Sequence, residues 1–150
     1  MNIVVLDGYT ENPGDLSWEG FKALGEITVY DRTTDSSMIV ERMKAAEIVY
    51  TNKTPISKEN IEACPKLKYI GVLATGYNVV DVEAAQKAGV VVSNIPTYGT
   101  NAVAQYTIAL LLELCHHVGE HSACVKRGEW ASNPDWCFWK YPLIVNTGPS

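Results

Sequence analysis

A turn rich in hydrogen-bond donors follows the fourth apolar segment of this chain. It reads LATGYN at residues 73–78 and precedes a helical pattern that begins near Val80. If the segment before it is a parallel strand, the turn lies where α/β proteins bind ligands, beyond the carboxyl end of a strand. Gly76 would let a ligand approach the backbone, while Thr75 and Asn78 add donors suited to a carboxylate or phosphate. The alternative is an ordinary strand-to-helix turn that requires a glycine.

Lys53 belongs to a second candidate segment, TNKT at residues 51–54, which ends the third apolar run. In a parallel sheet this segment would share a rim with Thr75 and Asn78, and Lys53 would be placed to contact an anionic substrate. The alternative is a solvated surface lysine, which is the common state of lysine in proteins.

The residues present do not match two other classes of phosphate site, the nucleotide-triphosphate loop and the phospho-accepting receiver domain. Residues 71–76 spell GxxxxG, but Tyr77 and Asn78 replace the Lys and Ser/Thr of a nucleotide-triphosphate loop. Asp7 ends the first apolar run, as in phospho-accepting receiver domains. Such domains carry their acceptor aspartate after the third strand, where this chain has Thr51-Asn52. The receiver-domain interpretation is therefore rejected.

His117, His121 and Cys124 are spaced at i, i+4 and i+7, which would place them on one helical face. That geometry is compatible with metal ligation. Because no fourth ligand is evident and the neighbours are apolar, we interpret these side chains as core packing. His116 lies beside the apolar stripe, and the spacings support no Ser/His/Asp or Cys/His triad.

Five β-branched, apolar segments separated by helical spacing predict the scaffold. Each segment is nearly continuous rather than alternating, which indicates a buried, doubly wound parallel α/β sheet of about five strands. The predicted strands are 2–6, 27–30, 48–51, 67–74 and 90–93. The first predicted helix begins near Ser17, and the other three cover 35–46, 57–63 and 80–88. Ser57 with Asn60 predicts a helix start, and Gly89 predicts a helix end.

A second region begins at Thr100, where one long helical pattern extends to about Lys126. Such a helix would span roughly 40 Å, which is more than a small domain needs to cover its own sheet. Its wide apolar face predicts partners on more than one side. After Gly128, the aromatic segment from Trp130 to Tyr141 predicts an irregular arm that packs over another surface.

Composition indicates a folded, soluble protein. The 150 residues are 47% hydrophobic and 19% charged, and the net charge of −5 argues against nucleic-acid binding. Neither a signal-peptide pattern nor an apolar run of about 20 residues is present, so we expect a cytoplasmic protein without membrane association. The four cysteines form no CxxC pair, and we expect free, mostly buried thiols.

Several of these segments, in this order and spacing, resemble the D-2-hydroxyacid dehydrogenases over residues 1 to about 144. The resemblance rests on VLATGYNVVD at 72–81, VVSNIP at 91–96, YGTNAVAQ at 98–105 and GEW at 128–130. Within that family, TNKTPI at 51–56 and HHVGEH at 116–121 are most similar to the glycerate dehydrogenase or hydroxypyruvate reductase branch.

The resemblance implies a flavodoxin-like substrate-binding domain at 1–99, an interdomain helix and arm at 100–144 that begin a nucleotide-binding domain, and a divergent tail at 145–150. The substrate would be a small 2-oxo or 2-hydroxy acid such as hydroxypyruvate or glyoxylate. The cofactor of the complete enzyme would be NAD or NADP. The substrate-binding residues implied are Lys53, Ala74, Thr75, Gly76 and Tyr77. The residues implied near the nicotinamide are Thr100, Val103 and Ala104. The arm would help to pair two subunits.

The chain also departs from the family. The GxGxxG turn that holds the cofactor pyrophosphate is absent from these 150 residues, and no GxG occurs in them. The family's catalytic Arg, Glu and His would lie beyond Ser150, so we assign no catalytic residue. We therefore expect a truncated chain that binds no NAD(P), is inactive by itself and self-associates through 100–144. The alternative function is a non-catalytic interaction or dimerisation module derived from this domain.

Overall fold

The computed structural model describes residues 1–142 and 144, and the chain divides into two compact units, Met1–Tyr98 and Gly99–Ser150. The tail predicted at 145–150 lies outside the described residues. The first unit holds a five-stranded parallel sheet with the order β2-β1-β3-β4-β5. Its strands are β1 (Asn2–Val5), β2 (Glu26–Val29), β3 (Ile48–Thr51), β4 (Tyr69–Val72) and β5 (Val91–Ser93). Its helices are α1 (Gly8–Glu11), α2 (Glu19–Lys22), α3 (Ser37–Met43), α4 (Lys58–Glu62) and α5 (Val82–Lys87).

The doubly wound α/β prediction is confirmed, since this strand order is the flavodoxin-like one. Every strand end lies within two residues of its predicted position. The strands could be located from the sequence because consecutive side chains of a central parallel strand are buried on both faces of the sheet, which gives a continuous apolar run. In β1, for example, Ile3, Val4 and Val5 are all buried, and Leu6 after it is buried as well.

The four predicted helices are present with somewhat narrower bounds, and their end signals are confirmed. The Ser57 hydroxyl accepts the Asn60 N–H at 3.4 Å, and the Asn60 side chain accepts the Ser57 N–H at 2.9 Å, which forms a capping box before α4. Gly89 ends α5 with φ +72°. The short α1 was not predicted. It begins at Gly8, where a Cβ would clash with Cγ1 of Val29.

The second unit contains α6 (Thr100–His116) and α7 (Val118–Lys126), so the prediction of one long helix is wrong. His117 separates the two helices in the left-handed conformation, with φ 48°, and its N–H donates to the carbonyl of Glu113. The Glu113 carboxylate accepts the Gly119 N–H at 3.1 and 3.2 Å. This carboxylate therefore caps the start of α7, while the left-handed residue ends α6. Within the described residues no helix is long and apolar enough to cross a membrane.

The aromatic segment after α7 is irregular, as predicted, and part of it packs within its own unit. The Trp130 and His121 rings meet Phe138 edge-on, with centroid distances of 6.2 and 5.6 Å. The Tyr141 hydroxyl donates to the Glu120 carboxylate at 2.7 Å. Trp136, in contrast, is 81% exposed. The role of this segment in pairing subunits stays a prediction.

All four cysteines are free, as predicted. Cys64 and Cys124 are buried, Cys115 is half-buried and Cys137 is exposed, so burial of the thiols is confirmed for two of them and is partial for a third.

Candidate functional site

The segments that follow β3 and β4 leave the sheet at the same edge. Thr51 pairs with Val72 in register, and the Leu73 N–H donates to the Thr51 carbonyl at 2.8 Å. Lys53 and Ala74 both lie two residues beyond this pair. The sheet therefore places the two candidate segments side by side, at the carboxyl ends of adjacent strands.

Asp7 organises the segment that contains Lys53, a role that the sequence did not reveal. Asp7 follows β1 and is only 4% exposed. Its Oδ2 accepts the backbone N–H groups of Asn52, Lys53 and Thr54 at 2.9, 3.0 and 3.0 Å. Its Oδ1 accepts the Thr54 hydroxyl at 2.7 Å. The chain at residues 52–54 is thus wrapped around one buried carboxylate, so Asp7 is a structural anchor of the rim.

The carboxyl group of Asp7 is held in its charged form. Burial alone raises the pKa of Asp7, because burial disfavours the charged state. Hydrogen bonds from the Thr54 hydroxyl and from the N–H groups of Asn52, Thr54 and Lys53 outweigh that effect, and the pKa lies below its ordinary value. Each donor favours the ionised carboxylate, so the segment and the charge stabilise each other.

The turn after β4 is tied to the segment after β5 through its carbonyl groups. The Ile95 N–H donates to the Ala74 carbonyl at 3.1 Å, and Nδ2 of Asn94 donates to the Thr75 carbonyl at 2.7 Å. No described peptide bond is cis, and the carbonyl and N–H of a trans peptide point in opposite directions. The N–H groups of Thr75 and Gly76 therefore point away from residues 94–95. Among the described residues neither N–H has a hydrogen-bond partner.

Gly76 occupies open space, and its backbone conformation does not require a glycine. It is exposed and is not among the glycines with positive φ. A Cβ at this position would approach only Oδ1 of Asn78, at 3.4 Å. The described residues therefore leave the space over Gly76 free, and the alternative that the fold needs a glycine here has no support in the local geometry.

The helix after this turn does not offer its N-terminus to a ligand. It begins at Val82 rather than near Val80, and the Asp81 side chain accepts the Ala84 N–H at 2.9 Å. Asp81 therefore occupies the end of α5 with its own negative charge. The donors of this site are the backbone groups of the turn itself.

Lys53 and Tyr77 line different cavities of the first unit. The first cavity, about 330 Å³, is lined by Lys53 together with Asp7, Thr10, Arg32, Thr33, Thr34, Thr54 and Pro55. The second cavity, about 200 Å³, is lined by Tyr77, Val82, Val92, Ser93 and Asn94. Both Lys53 and Tyr77 are exposed. The structure therefore does not bring Lys53 and Tyr77 together in one cavity.

The three metal-competent side chains of the second unit form no metal site. His117 is the left-handed residue between the helices, so it does not share a helical face with His121 and Cys124. Its ring stacks on Tyr141 at 4.0 Å. Across residues 1–142 and 144, no cluster of three His, Cys, Asp or Glu side chains is arranged to hold a metal ion. The interpretation of these residues as packing side chains is retained for His121 and Cys124.

Thr100, Val103 and Ala104 lie at the start of α6. Thr100 is the first helical residue, and all three are exposed. The preceding Gly99 offers no side-chain cap, and the first turn of α6 carries no acidic residue. The N-terminal N–H groups of this helix are therefore available to a polar or anionic group.

Comparison with known proteins agrees with this architecture. The hydroxypyruvate reductase of Blautia hydrogenotrophica is 62% identical over 150 residues, which cover 99% of this chain and 47% of that protein. The glycerate dehydrogenase of Methylorubrum extorquens is 36% identical over 123 residues, which cover 82% of this chain and 39% of that protein. The chain thus spans less than half the length of either relative.

A solved structure and a family model lead to the same assignment. An acyclic imino acid reductase in complex with NADPH and D-Arg superposes with a TM-score of 0.74 at 26% identity, covering 91% of this chain and 44% of that one. The model of the D-isomer specific 2-hydroxyacid dehydrogenase catalytic domain matches residues 3–141. A match over nearly the whole chain decides the question of family. This chain belongs to the D-isomer-specific 2-hydroxyacid dehydrogenases.

Proposed function

We propose that this chain is the substrate-binding portion of an NAD(P)-dependent D-2-hydroxyacid dehydrogenase, which transfers hydride between nicotinamide and a small 2-oxo or 2-hydroxy acid. Hydroxypyruvate with glycerate, or glyoxylate with glycolate, are the substrate pairs proposed. The observation that carries the proposal is the turn after β4, where the N–H groups of Thr75 and Gly76 have no partner in the described chain. The names of the hydroxypyruvate reductase and glycerate dehydrogenase relatives support the substrate class.

The proposed substrate site holds the acid by its carboxylate. The N–H groups of Thr75 and Gly76 donate to the carboxylate oxygens, because donation to an ionised acceptor forms a strong hydrogen bond. Ala74 and Tyr77 flank these donors on the turn. Lys53 adds positive charge to the adjacent segment, which Asp7 holds in place. This arrangement would fix the orientation of the acid.

The proposed cofactor contacts lie on α6. Residues 1–99 would be the substrate-binding domain, and 100–144 the interdomain helix and arm. The uncapped first turn of α6 fits a polar ligand, and there Thr100, Val103 and Ala104 would lie against the nicotinamide end. NAD(P) would supply the hydride when it is bound.

By themselves, the 150 residues are expected to show no turnover. They contain no GxG to hold a pyrophosphate, and we assign none of their residues as a catalytic acid. The measurement is NADH oxidation, followed by absorbance, with hydroxypyruvate or glyoxylate. Consumption of NADH above the background of a protein-free sample would contradict this expectation.

Gly76→Ala tests the anion site without disturbing the fold. A methyl group would occupy the free space over the turn, where we place the carboxylate. We expect D-glycerate to bind at least about tenfold more weakly, which corresponds to about 1.4 kcal/mol. The stability should stay the same or rise by up to about 1 kcal/mol, because alanine restricts the unfolded chain. Binding is measured by amide chemical shifts of the ¹⁵N-labelled chain during titration.

Two controls make the titration specific. Gly20→Ala adds a methyl group in α2, where nothing lies within 4 Å, and should leave binding unchanged. The methyl ester of D-glycerate lacks the charged carboxylate and should not shift the Thr75 and Gly76 amides. If D-glycerate does not shift the Thr75 and Gly76 amide resonances of the wild-type chain, the proposed site is refuted. If such a chain still self-associates, the alternative of a non-catalytic pairing module is favoured.

A further inference from the structure

The peptide between Thr75 and Gly76 has one external anchor within the described chain, and that anchor is a side chain. The preceding peptide, between Ala74 and Thr75, is held by the backbone N–H of Ile95 at 3.1 Å. The Thr75 carbonyl, in contrast, accepts only the side-chain amide of Asn94, at 2.7 Å. Whether the Gly76 N–H points outward therefore depends on a residue of another strand connection.

We infer that Asn94 is a positioning residue, which fixes the orientation of the Thr75–Gly76 peptide so that its N–H is presented to the substrate carboxylate. The inference deepens the proposed function and rests on it for the identity of the ligand. The orientation itself does not depend on any ligand.

The sheet explains why Asn94 can perform this role. Gly71 of β4 pairs with Ser93 of β5, so Asn94 leaves β5 beside the residues that leave β4. A third bond between the two segments runs in the opposite direction, from the Thr75 hydroxyl to the Ile95 carbonyl at 3.1 Å. These bonds hold the two segments together, while the Asn94 amide is the one group outside the turn, among the described residues, that holds the next peptide.

A flexible peptide at this position would be free to rotate. Thr75 and Gly76 are exposed, and glycine permits wide backbone rotation. Without the Asn94 amide, the peptide can turn its carbonyl toward the ligand, where it would repel a carboxylate. Fixing this peptide in a flexible turn on binding would cost conformational entropy. A donor that is already held in place does not incur that cost when the ligand binds.

Asn94→Ala tests the inference, with Asn2→Ala as its matched control. The side-chain amide of Asn2 also donates to a backbone carbonyl, that of Ala45 at 3.2 Å, but Asn2 begins β1 at the opposite end of the strands. Backbone order parameters from ¹⁵N relaxation are measured first, on the full 150-residue chain without ligand. In Asn94→Ala we expect the order parameters of the Thr75 and Gly76 amides to fall from about 0.85 to below about 0.6. In Asn2→Ala we expect the same order parameters to stay unchanged.

D-Glycerate titration follows on the same proteins. We expect Asn94→Ala to weaken binding at least tenfold and Asn2→Ala to leave it unchanged. Unchanged order parameters in Asn94→Ala overturn the inference, and so does unchanged affinity where the wild type binds. If the wild type does not bind D-glycerate while the order parameters still fall, the positioning role stands and the proposed function fails. If Asn94→Ala does not fold, Asn94→Asp keeps the side-chain shape without the donor and decides between the same outcomes.

Discussion

Asp7→Ala is expected to lower the free energy of unfolding by about 3–5 kcal/mol, because it leaves buried donors without an acceptor. The Thr54 hydroxyl and the backbone N–H groups of residues 52–54 all donate to this carboxylate. Each buried donor left unpaired costs about 1–3 kcal/mol, although partial solvation of the rim reduces the sum. Against a typical total of about 5–15 kcal/mol, the loss is large. Urea unfolding followed by circular dichroism measures it.

A matched variant separates this effect from the simple loss of an acidic side chain. Asp31 follows β2 at the same edge of the sheet, is exposed, and its carboxylate accepts no hydrogen bond from the described residues. Asp31→Ala should change the stability by less than about 0.5 kcal/mol. Asp7→Asn keeps the shape but presents an amide to the backbone donors, so it should also be destabilised. Equal unfolding midpoints for the Asp7 and Asp31 alanine variants would show that the buried carboxylate is not an anchor.

The same substitutions should change the response of the protein to acid. Folding lowers the pKa of Asp7 below its unfolded value of about 3.9. A carboxyl group of this kind contributes stability that is fully present above the unfolded pKa and is lost as the pH falls through the folded pKa. The wild type should therefore lose stability below about pH 4 more steeply than Asp7→Asn. Other carboxylates with lowered pKa, such as Glu47, are present in both proteins, so the difference reports on Asp7.

Local patterns were sufficient to predict the sheet and the helix caps. The strands are visible because parallel strands bury consecutive side chains, and such runs stand out in sequence. The Ser57 capping box and the left-handed Gly89 depend only on neighbouring residues, and both were predicted. The turn at residues 74–77 was singled out for the same reason, since a glycine after a buried strand is a local signal.

What the sequence did not reveal depends on residues far apart or on an unusual backbone conformation. Asp7 meets its donors across 45 to 47 positions of the chain, and no spacing rule links them. The contact could still have been anticipated from the predicted sheet. Adjacent parallel strands bring the residues that follow β1 and β3 together, so Asp7 would lie near residues 52–54. The break at His117 is hidden because apolar side chains continue at helical spacing on both sides of it. Left-handed conformations are uncommon for residues other than glycine, so the sequence favoured an unbroken helix.

The helix α6 presents an exposed apolar surface, and we propose that it binds a second copy of this chain. None of its residues is buried, and seven large apolar or aromatic side chains on it are at least 49% exposed: Val103, Tyr106, Ile108, Leu110, Leu111, Leu112 and Leu114. The helix carries no charged side chain from Thr100 to Leu112, so two copies would meet there without charge repulsion. Exposed apolar surface of this extent is typical of a surface that binds a partner.

Self-association of the 150-residue chain should therefore be lost in a variant with two charges on α6. Ile108→Lys with Leu111→Lys places lysines one helical turn apart, at positions 56% and 53% exposed, so the fold of the monomer should tolerate them. A fully buried apolar side chain of this size contributes about 1.5–3 kcal/mol, and two are replaced on each copy, so association should weaken at least about 100-fold.

Sedimentation velocity over a range of concentrations measures this association. The control replaces Leu16 and Leu24, which are 65% and 58% exposed in the first unit, with lysine. It adds the same charge and removes similar exposed apolar side chains, but it leaves α6 unchanged, so it should associate like the wild type. If the control dissociates as readily as the α6 variant, general charge repulsion is responsible. If the wild type is monomeric at every concentration, α6 does not bind a second copy of the chain.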